Sequence, residues 1–188
     1  MIVAGTGHRW AKLGYYSHSL ENDLTYLAEQ ALKVLKPDKI ISGLALGWDS
    51  SLALAAIRLN IPFIGAVPFK GQESRWPKYH QEKYAELLSR AESVQIVSGG
   101  GYSAKKMQLR NEWMVNNSDA LLALYDGSGG GTYNCIKYAE MENLRAVSKK
   151  HPKPIYNVWD AWQILCGLKK HESRAMFYLT LEQCLGEC

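Results

Sequence analysis

The sequence predicts an α/β fold, a doubly wound and mainly parallel sheet with helices on both faces. Three observations carry that prediction: six short, near-continuously apolar runs, amphipathic segments of roughly ten to eighteen residues between them, and glycine clusters directly after several of the runs. Strands covered on both faces read as unbroken apolar runs, and parallel strands need long crossovers, usually helical. Glycine clusters at strand ends mark the edge where such sheets bind ligands.

In chain order, Met1–Gly5 is the first strand, stopped by Gly5-Thr6-Gly7. Ser19 to Lys36 carries Leu20, Leu24, Leu27, Ala31, Val34 and Leu35, a helix-period stripe ended by Pro37. Lys39–Ser42 is the second strand and Asp49–Leu59 a helix; Pro62–Val67 is the third strand and Lys78–Arg90 a helix. Ser93–Val97 forms the fourth strand, followed by a Gly99-Gly100-Gly101 loop and a helix over Lys105–Asn117. Ala120–Tyr125 is the fifth strand, Gly127–Gly131 a second glycine-rich loop, and Thr132 to about Val147 a helix. Pro154–Val158 closes the series of strands. The remainder, about 159–188, reads as a helical extension packed through Trp159, Trp162, Leu165, Leu168 and Phe177. No linker, repeat or low-complexity tract divides the chain, so residues 1–188 are expected to form one domain.

Composition narrows the function classes. With 188 residues, 47% of them hydrophobic, the chain can build a core without staples, which excludes intrinsic disorder. Lys and Arg number 22 against 18 Asp and Glu, a net charge of +4 too small and dispersed for a dedicated nucleic-acid binder. Cys135, Cys166, Cys184 and Cys188 form no C-x-x-C pair, so neither a zinc site nor a thioredoxin motif is expected. The start MIVAGTGHRW does not resemble a signal peptide, and the longest apolar stretch, Leu52–Ile57, stops at Arg58. A cytoplasmic protein with free thiols, no metal and no membrane partner is the resulting expectation.

Three loops at the predicted carboxyl edge carry the chemistry. Gly5-Thr6-Gly7-His8-Arg9-Trp10 combines glycines, which admit a ligand close to the backbone, with a guanidinium suited to phosphate. It also reads as a plain glycine turn with a surface Arg, and His8 as a structural or a catalytic group. Ser42-Gly43-Leu44-Ala45-Leu46-Gly47-Trp48-Asp49 opens onto a helix N-terminus, where Asp49 fits either an N-cap or an acceptor for a sugar or base. Tyr125-Asp126-Gly127-Ser128-Gly129-Gly130-Gly131-Thr132 is an anion-cradle pattern before a helix, without the Lys of a Walker loop. On the helix before strand five, Met107, Arg110, Asn111 and Met114 share one face, so Arg110 is either a snorkelling stem or a cation presented to a ligand.

These residues resemble a known family. Thr6-Gly7-His8-Arg9, Gly43-x-Ala45-x-Gly47-Trp48-Asp49, Pro68-Phe69-x-x-Gln72-x-x-x-Trp76, Arg110-Asn111-x-x-Met114-Val115 and Ser118-Asp119 through Tyr125-Asp126-Gly127 to Gly130-Gly131-Thr132 look like the YpsA-like branch of the SLOG superfamily, over about residues 1–160. The resemblance implies a Rossmann-like domain that binds nucleotides or nucleotide-derived ligands. Relatives include the Lonely Guy phosphoribohydrolases and DNA-processing protein A. It places Gly5, Thr6, Gly7, His8, Arg9, Gly43, Gly47, Arg110, Asn111 and the loop Gly127, Ser128, Gly129, Gly130, Gly131, Thr132 at the ligand. The enzymes of the superfamily pair an Arg, matched by Arg110, with a Glu just after the glycine loop. Asn134 or Cys135 stands there instead, leaving Asp49 and Asp126 as candidate acid–base groups and Glu140 about two turns into the helix.

Three functions follow as expectations. The first is binding of a phosphorylated nucleotide small molecule, as sensor, sink or carrier, with no cofactor required. The second is N-glycosidic cleavage of a nucleoside 5'-monophosphate, with Asp49, Asp126 and Arg110 as catalytic residues. The third, single-stranded DNA binding, draws on Trp10, Trp76 and Tyr102 with the basic groups Lys105-Lys106-Arg110 and Lys149-Lys150-Lys153; a solvated helix face explains those groups more simply. The Trp- and Leu-rich end either caps the sheet or forms a homo-oligomer contact.

Overall fold

In the computed structural model, residues 1–14, 16–145, 152–168 and 174–186 are described. The expected helix end near Val147, Lys149, Lys150, Cys188 and the side chain of Leu168 lie outside them. The order is β1 (Ile2–Gly7), α1 (Trp10–Leu13), α2 (His18–Leu35), β2 (Lys39–Ser42), α3 (Trp48–Arg58), β3 (Phe63–Val67), α4 (Lys78–Arg90), β4 (Ser93–Ile96), α5 (Ala104–Asn116), β5 (Ala120–Leu124), α6 (Gly131–Arg145), β6 (Ile155–Asn157), α7 (Trp159–Leu168) and α8 (Arg174–Leu185).

The strands form one six-stranded sheet in the order β4-β3-β2-β1-β5-β6, every pairing parallel. This is the Rossmann-like α/β fold. The chain steps outward from β1 to β4, then returns to the far side of β1 for β5 and continues outward to β6. Right-handed crossovers then put the early helices on one face and the later ones on the other. One core joins Val3 and Ile40 of the sheet to Leu24, Leu27, Leu52 and Leu87 of α2, α3 and α4. The opposite core joins Ala4, Ile41 and Leu121 to Met114 of α5 and Ile136 of α6. The strand order reverses between β1 and β5, whose register pairs Gly5 with Leu122 and Gly7 with Leu124. Their carboxyl ends therefore flank the crevice that this topology leaves open.

Two features depart from expectation. β1 runs on through Thr6 and Gly7, because β5 continues to pair with it there. The one-turn helix α1 has too few residues to leave a periodic signal, and it tucks Trp10 into the core rather than presenting it to solvent. The C-terminal helices α7 and α8 take one of the two roles expected of them: they cap the sheet on the α2 side, with Trp162, Phe177 and Leu181 buried in the first core.

Candidate functional site

The crevice is a cleft of about 510 Å³ enclosed by the β1 end, α1, the start of α5 and the glycine loop before α6. That lies within the roughly 300–1,000 Å³ common for small-molecule sites. Of the residues expected at the ligand, Thr6, Gly7, His8, Arg9, Asp49, Arg110, Asn111, Gly129, Gly130, Gly131 and Thr132 line it together.

Arg110 forms its floor. Only 5% exposed, it comes from the inner face of α5, and its Nη1 lies 3.6 Å from Oδ2 of the equally buried Asp49. Neither Nε nor Nη1 of Arg110 has a hydrogen-bond partner. Burial pushes the Asp49 carboxyl up to about 6, against the opposing pull of Arg110 and Arg9 and a bond from the Ala45 amide. Burial likewise lowers the Arg110 value, which Asp49 counteracts. Asp49 is not the N-cap of α3; that position is Gly47, and Asp49 sits in the first turn. Arg110 is no part of a surface basic patch either, so the Lys105-Lys106-Arg110 group shrinks to two lysines.

The wall opposite is the glycine loop. Gly127 and Gly130 hold φ of +91° and +139°, values that side chains resist, while a Cβ on Gly129, Gly130 or Gly131 would point into open space. The loop feeds the N-terminus of the fifteen-residue α6, whose first amide groups have no carbonyl within the helix to bond. Two side chains tie it down. The Asn111 amide donates to Gly131 O at 3.3 Å, and the Lys12 ammonium bonds Ser128 Oγ and, at 3.2 Å, Gly129 O.

Several expected ligand residues serve this scaffold instead of lining the cleft. A Cβ at Gly5 would meet Leu52 at 2.2 Å, so that glycine lets α3 lie on β1. Gly47 has φ of +107°, and its Cβ would fall 2.4 Å from His8 O. At Gly43 a Cβ would sit 1.5 Å from Arg110 Nη1 and 2.7 Å from Asp49 Oδ2; the missing side chain is the space in which that pair meets. Asp126 accepts from the Ser128 hydroxyl and, at 2.8 Å, from the Ser128 amide, and shapes the loop; these bonds hold its carboxyl down near 2. Ser128 is engaged by Lys12, and Gly127 supplies the turn.

His8 is 4% exposed and packed against Tyr125 and Trp159. Its Nε2 lies 3.0 Å from the Asp126 amide nitrogen and 2.8 Å from Asp126 Oδ1. The amide donates to Nε2 when that nitrogen is bare, and the carboxylate accepts from it when it carries a proton. Burial lowers the His8 value and favours the neutral ring. His80 does not line this cleft; its ring stands edge-on to Tyr16.

At the positions where the superfamily enzymes carry glutamate, Asn134 lines the cleft. Cys135 is fully buried, its thiol pushed up to about 11 by burial. Glu140 pairs with Lys137 at the surface. The cleft also takes in Lys12, Gln108 and Tyr102, whose place there no sequence motif signals. Among the described residues no cluster of His, Cys, Asp and Glu is arranged to hold a metal ion, and no helix is long and apolar enough to cross a membrane.

The sequence profile of the YspA SLOG family (YpsA) matches residues 3–159. The chain belongs to that family. The SLOG protein is 34% identical over 141 residues to the SPbeta prophage-derived protein YoqJ of Bacillus subtilis (strain 168), covering 66% of this chain and 82% of that one. A UPF0398 protein of Halalkalibacterium halodurans is 31% identical over 144 residues, or 70% and 75% of the two chains. Among solved structures, DNA processing protein A of Streptococcus pneumoniae superposes with a TM-score of 0.57 at 16% identity, over 92% of this chain and 62% of that one. The Helicobacter pylori protein of that name, whose structure describes single-stranded DNA binding, gives 0.55 at 17% identity, covering 92% and 82%. At these identities the likeness is one of fold.

Proposed function

We propose that this SLOG domain binds a nucleotide or nucleotide-derived ligand through its phosphate, held between Arg110 and the N-terminus of α6. One observation carries the reading: a buried guanidinium, short of acceptors on Nε and Nη1, forms the floor of a cleft whose opposite wall is an open glycine cradle. A desolvated cation with unmade hydrogen bonds is costly, and an anion in the cleft supplies both charge and acceptors. Arg9 and Lys12 add positive charge at the rim, and the helix N-terminus adds its dipole. The ligand is a small molecule rather than a polymer. Trp10 and Arg110 are both buried, which takes two of the groups that a DNA groove would have used off the surface.

A second reading, N-glycosidic cleavage of a nucleoside 5'-monophosphate, is favoured by Asp49 alone. A carboxyl with a value of about 6 in a cleft is poised for acid–base work near neutral pH. Calorimetric titration with a panel of nucleoside 5'-monophosphates tests the first reading, and chromatography of the same mixtures tests the second. Saturable heats without free base support a binder; free base with ribose phosphate supports the hydrolase. Absence of heat with every member contradicts both.

A further inference from the structure

The rim of the cleft opposite the phosphate site carries an aromatic side chain that the fold holds in place but leaves bare. Tyr102 is 69% exposed, yet its surroundings are fixed. Its ring stands edge-on to buried Phe69, with centroids 6.2 Å apart and planes at 81°. On one side the loop is tied to the sheet, where the Val97 amide donates to Val67 O at 2.8 Å and the Ser98 amide to Pro68 O at 3.1 Å. On the other, Ser103 caps α5 by accepting from the Lys106 amide, and the Lys106 ammonium returns to Gly101 O at 2.7 Å. An exposed tyrosine ring leaves a large apolar face in water, and among the described residues only Phe69 is seen to stand against this one, at its edge.

We propose that Tyr102 is the stacking platform for the flat heteroaromatic base of the ligand, and so makes the cleft selective for nucleotides over sugar phosphates. The proposal rests on the phosphate reading above. Three features of the cleft support it. Ala104 and Met107 continue the apolar surface from Tyr102 toward the floor. The Gln108 amide also lines the cleft; its Nε2 donates to Glu112 at 3.1 Å, which leaves its oxygen to accept from an N–H at the edge of a base. Tyr102 stands two residues before α5 and Arg110 two turns into it, so ring and guanidinium lie at successive depths along one wall of the cleft. A base laid on the ring removes both faces from water without a change in the loop.

The test compares AMP with ribose 5-phosphate, titrated calorimetrically into the unaltered protein, Tyr102→Phe and Tyr102→Ala. Stacking on an aromatic ring predicts that Tyr102→Ala weakens AMP binding by about 5- to 100-fold, with Tyr102→Phe near the unaltered value. Ribose 5-phosphate affinity is the same in all three, which also reports that the altered proteins are folded with the phosphate site intact. Equal affinity of AMP and ribose 5-phosphate for the unaltered protein overturns the platform and leaves the phosphate site standing. So does a Tyr102→Ala protein that binds AMP normally, or one that loses both ligands equally. If neither ligand binds the unaltered protein, the phosphate reading fails and the platform fails with it.

Discussion

Arg110 and Asp49 meet at 3.6 Å inside the protein, too far apart for a hydrogen bond and close enough for each to set the other's charge. They come from helices on opposite faces of the sheet, α5 and α3, and they meet only because residue 43 has no side chain. The guanidinium is thus held by attraction but not saturated, a state that the proposed anion would complete.

Replacing Gly43 with Ala puts a methyl group where Arg110 Nη1 now lies. Overpacking of this kind costs about 1–3 kcal/mol, so thermal unfolding should shift down modestly while the protein still folds. Anion affinity should fall by more than that stability loss explains, because the guanidinium is displaced. Unchanged affinity in a folded Gly43→Ala protein would separate Arg110 from ligand binding.

Asp49 gives the cleft a pH dependence. Its carboxyl holds the proton up to about 6, so as pH falls through that value the cleft gains positive charge. Sulfate, which does not titrate in this range, is predicted to bind more tightly on acidification through that window. An Asp49→Asn protein should show the tight, low-pH affinity already at neutral pH. A sulfate affinity equally pH-dependent in both proteins would place the titrating group elsewhere.

The stability profile carries a signature of His8. Its folded value lies below the ordinary 6.5, so on acidification the unfolded chain takes up the proton first. The contribution of His8 is therefore complete above 6.5 and is lost as pH falls from there toward the folded value. Asp49, raised from 3.8 to about 6, acts in the opposite sense: its contribution is present below 3.8 and lost as pH rises toward about 6. Urea midpoints measured across this range should show an acid-side loss that His8→Gln flattens. An unaltered slope would assign that loss to other groups.

The glycine loop separates shape from space. Gly130, at φ of +139°, resists any side chain, whereas Gly129 faces open cleft at an ordinary backbone angle. Gly130→Ala is predicted to cost about 1 kcal/mol or more of stability. Gly129→Ala should leave stability unchanged while its methyl group weakens phosphate binding by at least severalfold. The reverse pattern in melting and titration would mean that the loop does not cradle the ligand.

Much of this was legible in the chain itself. Short unbroken apolar runs such as Ala120–Leu124, bounded by turn residues, read as strands covered on both faces, and the stripe through Leu24, Leu27 and Ala31 reads as a helix face on a core. Arg110 and Asn111 stood out because two polar groups share a helix face with two methionines. What the sequence could not separate is a glycine that makes room for a ligand from one that makes room for the protein. Gly43, Gly47 and Gly129 look alike as letters, yet a Cβ on the first two would strike Arg110 and His8, and on the third nothing. Trp10 was misplaced for a similar reason: one large residue beside a one-turn helix belongs to no period, so its burial depends wholly on tertiary contacts.

The central claim is that the ligand is held by its phosphate, and paired calorimetric titrations of adenosine and AMP test it most directly. A phosphate seated on Arg110 and the α6 N-terminus makes several charge-assisted bonds of about 1.5–3 kcal/mol each, so AMP should bind at least tenfold more tightly than adenosine. Arg110→Gln should abolish most of that difference. Adenosine binding as tightly as AMP, or a phosphate preference that survives in Arg110→Gln, would contradict the account.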